Sequence, residues 1–389
     1  MIRNGKMCIL LFILWISLFT GISWTSGAED LELVSPEAVL MEASTGKVLF
    51  EKASHEKRSP ASVTKIMTVL LAFEALEKGQ IHLEDEVVTS AHAKSMGGSQ
   101  VFLEEGEKQT VQTLLKCILV SSGNDASVAL AEYIAGSEME FVNRMNEKAK
   151  ALGMDDTHFV DCCGLTDSDD HYTSANDIAL MSRELITRFP EVFDYTTIWM
   201  ENITHVTQRG SSEFGLSNTN KLLRSYNGCN GLKTGSTSKA LFCVSATALR
   251  NDIQLISVIM AGPDSKTRFK EAAQLLDYGF GKCTYYVDDA AKNVAEVPVT
   301  GGIQEEVSVH MVGEFRYVDT TGADLSQVRR KAEVRKGLRA PVEKGDPAGE
   351  MVYYLGDKEI GRQKLVAAES VDHMRYSDAL EQAMDRYFL

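Results

Sequence analysis

The sequence has no CxxC or CxxxC pair and no HExxH, and its eight histidines are scattered without ligand spacing. These absences remove the usual signatures of a zinc site, so neither a metal nor a cofactor is expected. Positive charge is also scarce. Lys+Arg number 40 against 55 Asp+Glu, a net charge of −15. Without the first 28 residues, which carry Arg3 and Lys6, the balance is 38 against 55, or −17. Such a chain does not bind nucleic acid by counterion release, and an anionic membrane or polymer repels it unless a local patch reverses the sign. Any anionic substrate must therefore meet a locally placed cation. Internal repeats and low-complexity tracts are missing too. What is present is ordinary globular composition, 44% hydrophobic and 24% charged, at a length that suits two domains or one large domain with an appendage.

The N-terminus has the layout of an export signal. Arg3 and Lys6 precede the apolar run Met7 to Phe19, and Ser26-Gly27-Ala28 offers small residues ahead of Glu29. The run is short for a membrane span of about 20 residues. Cleavage is expected near Ala28, which makes residues 1–28 a signal peptide and places the mature chain outside the cytoplasm. Six cysteines then remain: Cys117, Cys162, Cys163, Cys229, Cys243 and Cys283. An even number permits disulfides, but adjacent Cys162 and Cys163 are awkward to bridge. Cys117 and Cys243 sit in apolar runs and read as small buried residues.

Periodicity organises the rest. Ala38 to Met41 and Lys47 to Phe50 flank a Gly-containing turn, a hairpin signal. A helix is predicted from Ser59-Pro60, with Ser as cap and Pro at the first helical position, through Ile66, Leu70, Phe73 and Leu76. Further helices are predicted from Val111 to Leu119 and from Ala126 to Ile134. Leu241 to Met260 reads as strands, and Arg268 to Phe280 as a helix covering that sheet. Beyond Gly281 short apolar runs at 294–299, 307–312, 315–318, 351–355 and 360–366 suggest a small β-sandwich or barrel. Residues 371–389 return to helical periodicity.

Three short motifs carry chemistry. Ser lies three residues before Lys at Ser44/Lys47, Ser54/Lys57, Ser62/Lys65 and Ser236/Lys239, so the spacing alone decides nothing. Only Ser62/Lys65 starts a predicted helix, where this spacing puts both side chains on one face. In an enclosed pocket the Lys loses hydration, its pKa falls, and it can accept the Ser proton. Ser122-Gly123-Asn124 supplies a hydroxyl for proton relay and an amide for a substrate carbonyl. Lys233-Thr234-Gly235 offers a cation and a hydroxyl to a carboxylate, with Gly allowing close backbone approach.

Together and in this order the motifs are those of penicillin-binding proteins and β-lactamases. With Ser59 to Thr68, Ser122 to Ala126, Thr173-Ser174-Ala175 and Gly231 to Gly235, the chain resembles the low-molecular-weight penicillin-binding proteins that are serine D-alanyl-D-alanine carboxypeptidases. The resemblance runs strongly from Val34 to Phe280 and more loosely through the tail. It implies an α/β (α+β) transpeptidase domain with helices on a mainly antiparallel sheet over 29–281, a small all-β domain over 282–370, and an amphipathic helix over 371–389. It further implies Ser62 as nucleophile, Lys65 as base and Ser122 in proton transfer. Asn124, Lys233, Thr234, Gly235 and Ser236 would bind substrate, and the backbone N–H groups of Ser62 and Ser236 would form the oxyanion hole. Arg268 reads as a structural salt bridge. The implied substrate is a peptidoglycan stem ending in D-Ala-D-Ala, with β-lactams as inhibitors.

Two other readings use the same residues. A class A-like β-lactamase needs a Glu base with a partner Asn four residues on; Glu184 is the nearest by placement, but Arg stands at position 188. A catalytically silent wall-binding or penicillin-sensing module is opposed by the intact Ser62, Lys65, Ser122 and Lys233. Relatives often hold the membrane through the last helix. Here its stripe of Val371, Met374, Leu380, Ala383, Met384, Tyr387 and Phe388 is backed by Arg375 and Arg386 against Asp372, Asp378, Glu381 and Asp385. Interfacial helices carry cations there, so weak, reversible contact at most is expected.

Overall fold

The computed structural model describes residues 31–207, 210–289, 294–380 and 384. The expected signal peptide lies outside the described residues. Contacts set Met1–Leu33 apart from the unit Val34–Leu389, which holds every element below.

The hairpin forms as β1 (Glu37–Glu42) and β2 (Val48–Lys52). They join β3 (Cys229–Thr237), β4 (Leu241–Arg250) and β5 (Ile253–Gly262) in an antiparallel sheet ordered β2-β1-β5-β4-β3. Both faces of β1, β4 and β5 are buried along most of their length, which explains strands that read as continuous apolar runs rather than alternating ones. Val39, Met41, Ile256 and Val258 point into one core with α1 (Lys65–Glu77), α2 (Val111–Val120), α3 (Asn124–Ala135) and α4 (Ala175–Arg188). Leu40 and Leu255 point the other way, against α5 (Ser265–Lys282) at Gly279. The helix predicted from Arg268 thus covers the sheet as expected.

The turn carrying Ser62 differs from the sequence reading. Ser59 does not cap a helix and Pro60 lies ahead of it; Ala61–Thr64 form a 3₁₀ turn, and α1 begins only at Lys65. Ala61 takes a left-handed φ of +50°, which costs a non-glycine residue about 1–2 kcal/mol. The cause is tertiary. A Cβ on Gly235 of β3 would lie 2.6 Å from the Pro60 carbonyl, and one on Gly164 would lie 1.9 Å from that of Ala61. The turn is pressed between two distant segments, and their packing overrides local helix preference.

An all-β domain follows. Its strands are β6 (Thr284–Asp288), β7 (Ala295–Thr300), β8 (Glu306–Met311), β9 (Phe315–Asp319), β10 (Val328–Val334), β11 (Leu338–Arg339), β12 (Pro347–Leu355) and β13 (Lys358–Ala367). Six make a sheet ordered β10-β12-β13-β8-β7-β11, while β6 pairs with β9. Inside, the Phe315 and Tyr353 rings stack at 3.7 Å. The predicted helix over 371–389 needs correction at its start. Val371 is buried in this β core and bridged to Val342, and His373 is bridged to Gly302. Helix appears only from 376 to 380 and at 384 among the described residues. Val371 and Met374 are therefore not part of an apolar helical stripe.

Candidate active site

Lys65 is the centre of the site. It is the first residue of α1 and fully buried. Its Nζ lies 3.0 Å from Ser62 Oγ, 2.6 Å from Asn124 Oδ1 and 2.8 Å from the Cys163 carbonyl. Asn124 Oδ1 and the Cys163 oxygen only accept hydrogen bonds, whereas a hydroxyl both donates and accepts. A neutral amine has two N–H bonds and one lone pair. Giving the two N–H groups to Asn124 and Cys163 leaves the lone pair facing Ser62. Burial pulls the Lys65 pKa below the ordinary lysine value, against the opposing pull of Asp161 and Asp125. Geometry and desolvation favour the same protonation state.

Lys233 is the second buried amine. Its Nζ donates to Ser122 Oγ at 2.9 Å and to the Thr234 carbonyl at 3.0 Å. Its pKa is pushed well below the ordinary value, first by burial and then by the neighbouring Lys65 and Arg268. Thr234 Oγ1 donates to Thr219 Oγ1 at 2.7 Å. Ser122 holds a left-handed φ of +64° between α2 and α3, and Asn124 opens α3 behind it. The adjoining loop is pinned by Asp125, whose carboxylate accepts from the N–H groups of Val101 and Leu103.

The structure thus brings Ser62, Lys65, Ser122, Asn124, Lys233 and Thr234 into one constellation. Gly235 packs against the Ser62 turn, where a Cβ would lie 3.0 Å from the Ser62 nitrogen. Ser236 follows on β3 with an exposed side chain. The three other Ser/Lys pairs are occupied elsewhere; Lys239, for example, bonds to Asp169 and the Asp167 carbonyl. Asn124 differs from expectation. Both ends of its amide are tied to protein, Oδ1 to Lys65 and Nδ2 to the Gly97 carbonyl at 2.7 Å.

The site can now be set beside known proteins. The peptidase S11 family, D-alanyl-D-alanine carboxypeptidase, matches residues 25–264, and the penicillin-binding protein 5 C-terminal domain matches 281–373. The chain belongs to the peptidase S11 family of D-alanyl-D-alanine carboxypeptidases. It is 38% identical to the carboxypeptidase DacF of Bacillus subtilis, over 91% of this chain and 90% of that protein. It is 32% identical to DacA of Escherichia coli, over 86% of this chain and 82% of that one. Penicillin binding protein 5 from Haemophilus influenzae superposes with a TM-score of 0.72 at 31% identity, covering 88% and 98% of the two chains.

Several parts of this carboxypeptidase escape the sequence reading. Asp161 accepts from the N–H groups of Cys163, Gly164 and Thr166, folding the loop that aims the Cys163 carbonyl at Lys65. Thr68 Oγ1 donates to the neighbouring Cys162 carbonyl. The available signal was Asp161-Cys162-Cys163-Gly164, an Asx-type turn ending on a Gly at φ +75°. Cys162 and Cys163 are buried and unbridged, as are Cys117 and Cys243, and the six cysteines among the described residues are all free thiols. Arg268 is not the salt bridge expected. Its Nη1 donates to the carbonyls of Gly235 and Cys243 at 2.9 and 3.1 Å, bracing β3 from behind.

Among the described residues no carboxylate hydrogen-bonds to Ser62 or Lys65. Glu184, the base required by the β-lactamase reading, is paired with Lys148 and Arg188. A cavity of about 680 Å³ lined by Phe73, Leu76, Phe189 and Tyr195 contains none of the motif residues.

Proposed function

We propose that this carboxypeptidase cleaves the terminal D-Ala from peptidoglycan stem peptides through an acyl-enzyme on Ser62. The supporting observation is the position of Lys65 Nζ, whose only partner among the described residues able to donate a proton is Ser62 Oγ. Lys65 takes that proton as Oγ attacks the carbonyl carbon of the penultimate D-Ala. The developing oxyanion is assigned to the backbone N–H groups of Ser62 and Ser236. Ser122 relays a proton to the departing amine, and Lys233 with Thr234 holds the terminal carboxylate. Asn124 chiefly orients Lys65, leaving one amide N–H for a substrate carbonyl. Water, activated by Lys65, then hydrolyses the ester. A β-lactam would acylate the same oxygen.

Lys233 explains how a chain of charge −15 captures an anion, because its buried amine donates hydrogen bonds locally and an arriving carboxylate favours its protonated form. Family members act outside the cytoplasm. The export reading of residues 1–28 extends this to the present chain, with 29–281 assigned to catalysis and 282–370 to the β-rich domain. Tyr376, Leu380 and Met384 are exposed, but the acidic terminal segment supports only weak, reversible membrane contact through 371–389.

Labelling with a fluorescent penicillin, then mass spectrometry of the acylated peptide, tests the assignment. Long-lived label on Ser62 is expected. Label on another serine, no label, or rapid release would overturn it.

A further inference from the structure

Residues 328–344 reverse the sign of the chain. Seven Lys and Arg stand there against Glu333 and Glu343, a local +5 in a protein of net −15. All nine side chains belong to exposed residues. Those on β10 have local partners: Arg329 with Asp357, Arg330 with Asp288 and Lys331 with Glu333. Charged side chains on an edge strand also block unwanted pairing, which accounts for this portion. Four cations beyond the end of β10 lack such partners. Arg335, Lys336, Arg339 and Lys344 form no ion pair among the described residues, and the same holds for Lys364 on β13.

They stand on ordered backbone rather than on a tail. The Arg335 N–H donates to the Ala348 carbonyl at 2.8 Å, Arg339 is in register with Thr300, and the Lys344 N–H donates to Ser370 Oγ at 3.0 Å. Arg335 and Lys364 line one groove of about 370 Å³ together with Gly349, Leu365 and Glu350, whose carboxylate is paired with Arg362. The shape of the partner follows from what lies beside the track. The Val342–Val371 bridge brings exposed Glu369 and Asp372 to the Lys344 end. A flat anionic surface would press against those carboxylates, whereas a thin chain can follow the cations and miss them.

We propose that this track is a docking surface for a linear polyanion carrying one negative charge on each short repeat, separate from the chemistry at Ser62. It would hold the enzyme against anionic polymer of the wall while the catalytic domain meets stem peptides. Counterion release makes such binding steeply salt-dependent.

Inorganic polyphosphate and the full mature chain provide the test. Five cations correspond to a slope of about −3.5 in log affinity against log salt, so affinity should fall about 50-fold between 50 and 150 mM salt. In the variant Lys336→Gln, Arg339→Gln, Lys344→Gln the slope should drop to about −1.4, a fall of about 5-fold over the same range. Its rate of penicillin acylation should match wild type, which shows that the protein is folded. No binding by wild type at 50 mM salt, or an unchanged slope in the variant, would overturn the proposal. Tighter binding to phosphatidylglycerol vesicles than to polyphosphate would also overturn it, assigning the track to a membrane.

Discussion

Gly235→Ala is a small change that separates the Ser62 turn from β3. The new Cβ would start 2.6 Å from the Pro60 carbonyl and 3.0 Å from the nitrogens of Ser62 and Val63. All three are backbone atoms, so no side chain can swing away. Ordinary contact begins at 3.4 Å, so β3 and the turn must part by about 0.8 Å. That movement separates Ser62 from Lys233 and Thr234, and the assigned oxyanion donors from each other. A misplacement of about 1 Å in a reacting geometry costs on the order of 100-fold in rate. We therefore expect penicillin acylation and D-Ala release to fall roughly 10- to 100-fold, equivalent to about 1.4–2.7 kcal/mol of lost transition-state stabilisation. Overpacking should cost about 1–3 kcal/mol of stability, leaving the protein folded at room temperature. Stopped-flow acylation well below the melting temperature, beside a circular-dichroism melt, measures both effects. Wild-type acylation in a folded Gly235→Ala protein would refute the idea that close approach of β3 to the turn assembles the site.

Ser62→Ala should abolish penicillin labelling and D-Ala release with little change in melting temperature, since it removes one hydroxyl; residual labelling near the wild-type rate would reject Ser62. Lys65→Ala should collapse acylation even at saturating substrate, whereas Lys233→Ala should lose much of its activity through a raised KM; matching kinetic profiles for the two would contradict the division of roles. In the wild-type enzyme, acylation should fall as pH drops through the Lys65 pKa, which burial holds below the ordinary 10.5; a rate that rises on acidification would exclude Lys65 as the base. Asp161→Ala strips the acceptor from three N–H groups of the loop and should slow acylation about 10-fold or more by releasing the Cys163 carbonyl; unchanged acylation would show that Lys65 does not need that partner.

The elements legible in the sequence are those whose pattern is set by their own neighbours. The hairpin at Glu42–Lys47, α2, the paired strands β4 and β5, and α5 all follow from local periodicity plus a turn or cap. The strands missed in the β-rich domain are β6, β10 and β11. β10 reads Val-Arg-Arg-Lys-Ala-Glu-Val, an edge strand whose charges hide its register. The misplaced start of the terminal helix has a related cause, because Val371 is claimed by a bridge to Val342 that no helical pattern reveals.

The site divides along the same line. Ser62, Lys65, Ser122, Lys233 and Thr234 are proposed to act through side chains, so their identities and order expose them. Part of what would make Lys65 a base is contributed by backbone. The Cys163 carbonyl is one of two obligate acceptors that consume its N–H groups, and only the fold of the Asp161 loop delivers it. A carbonyl is present at every residue, so sequence cannot mark the one that matters. The same holds for the left-handed Ala61, whose conformation is imposed by Gly164 and Gly235 from roughly 100 and 170 residues away. The proposed catalytic side chains are thus written as motifs, whereas their burial and aim come from long-range packing of residues with no reactive group.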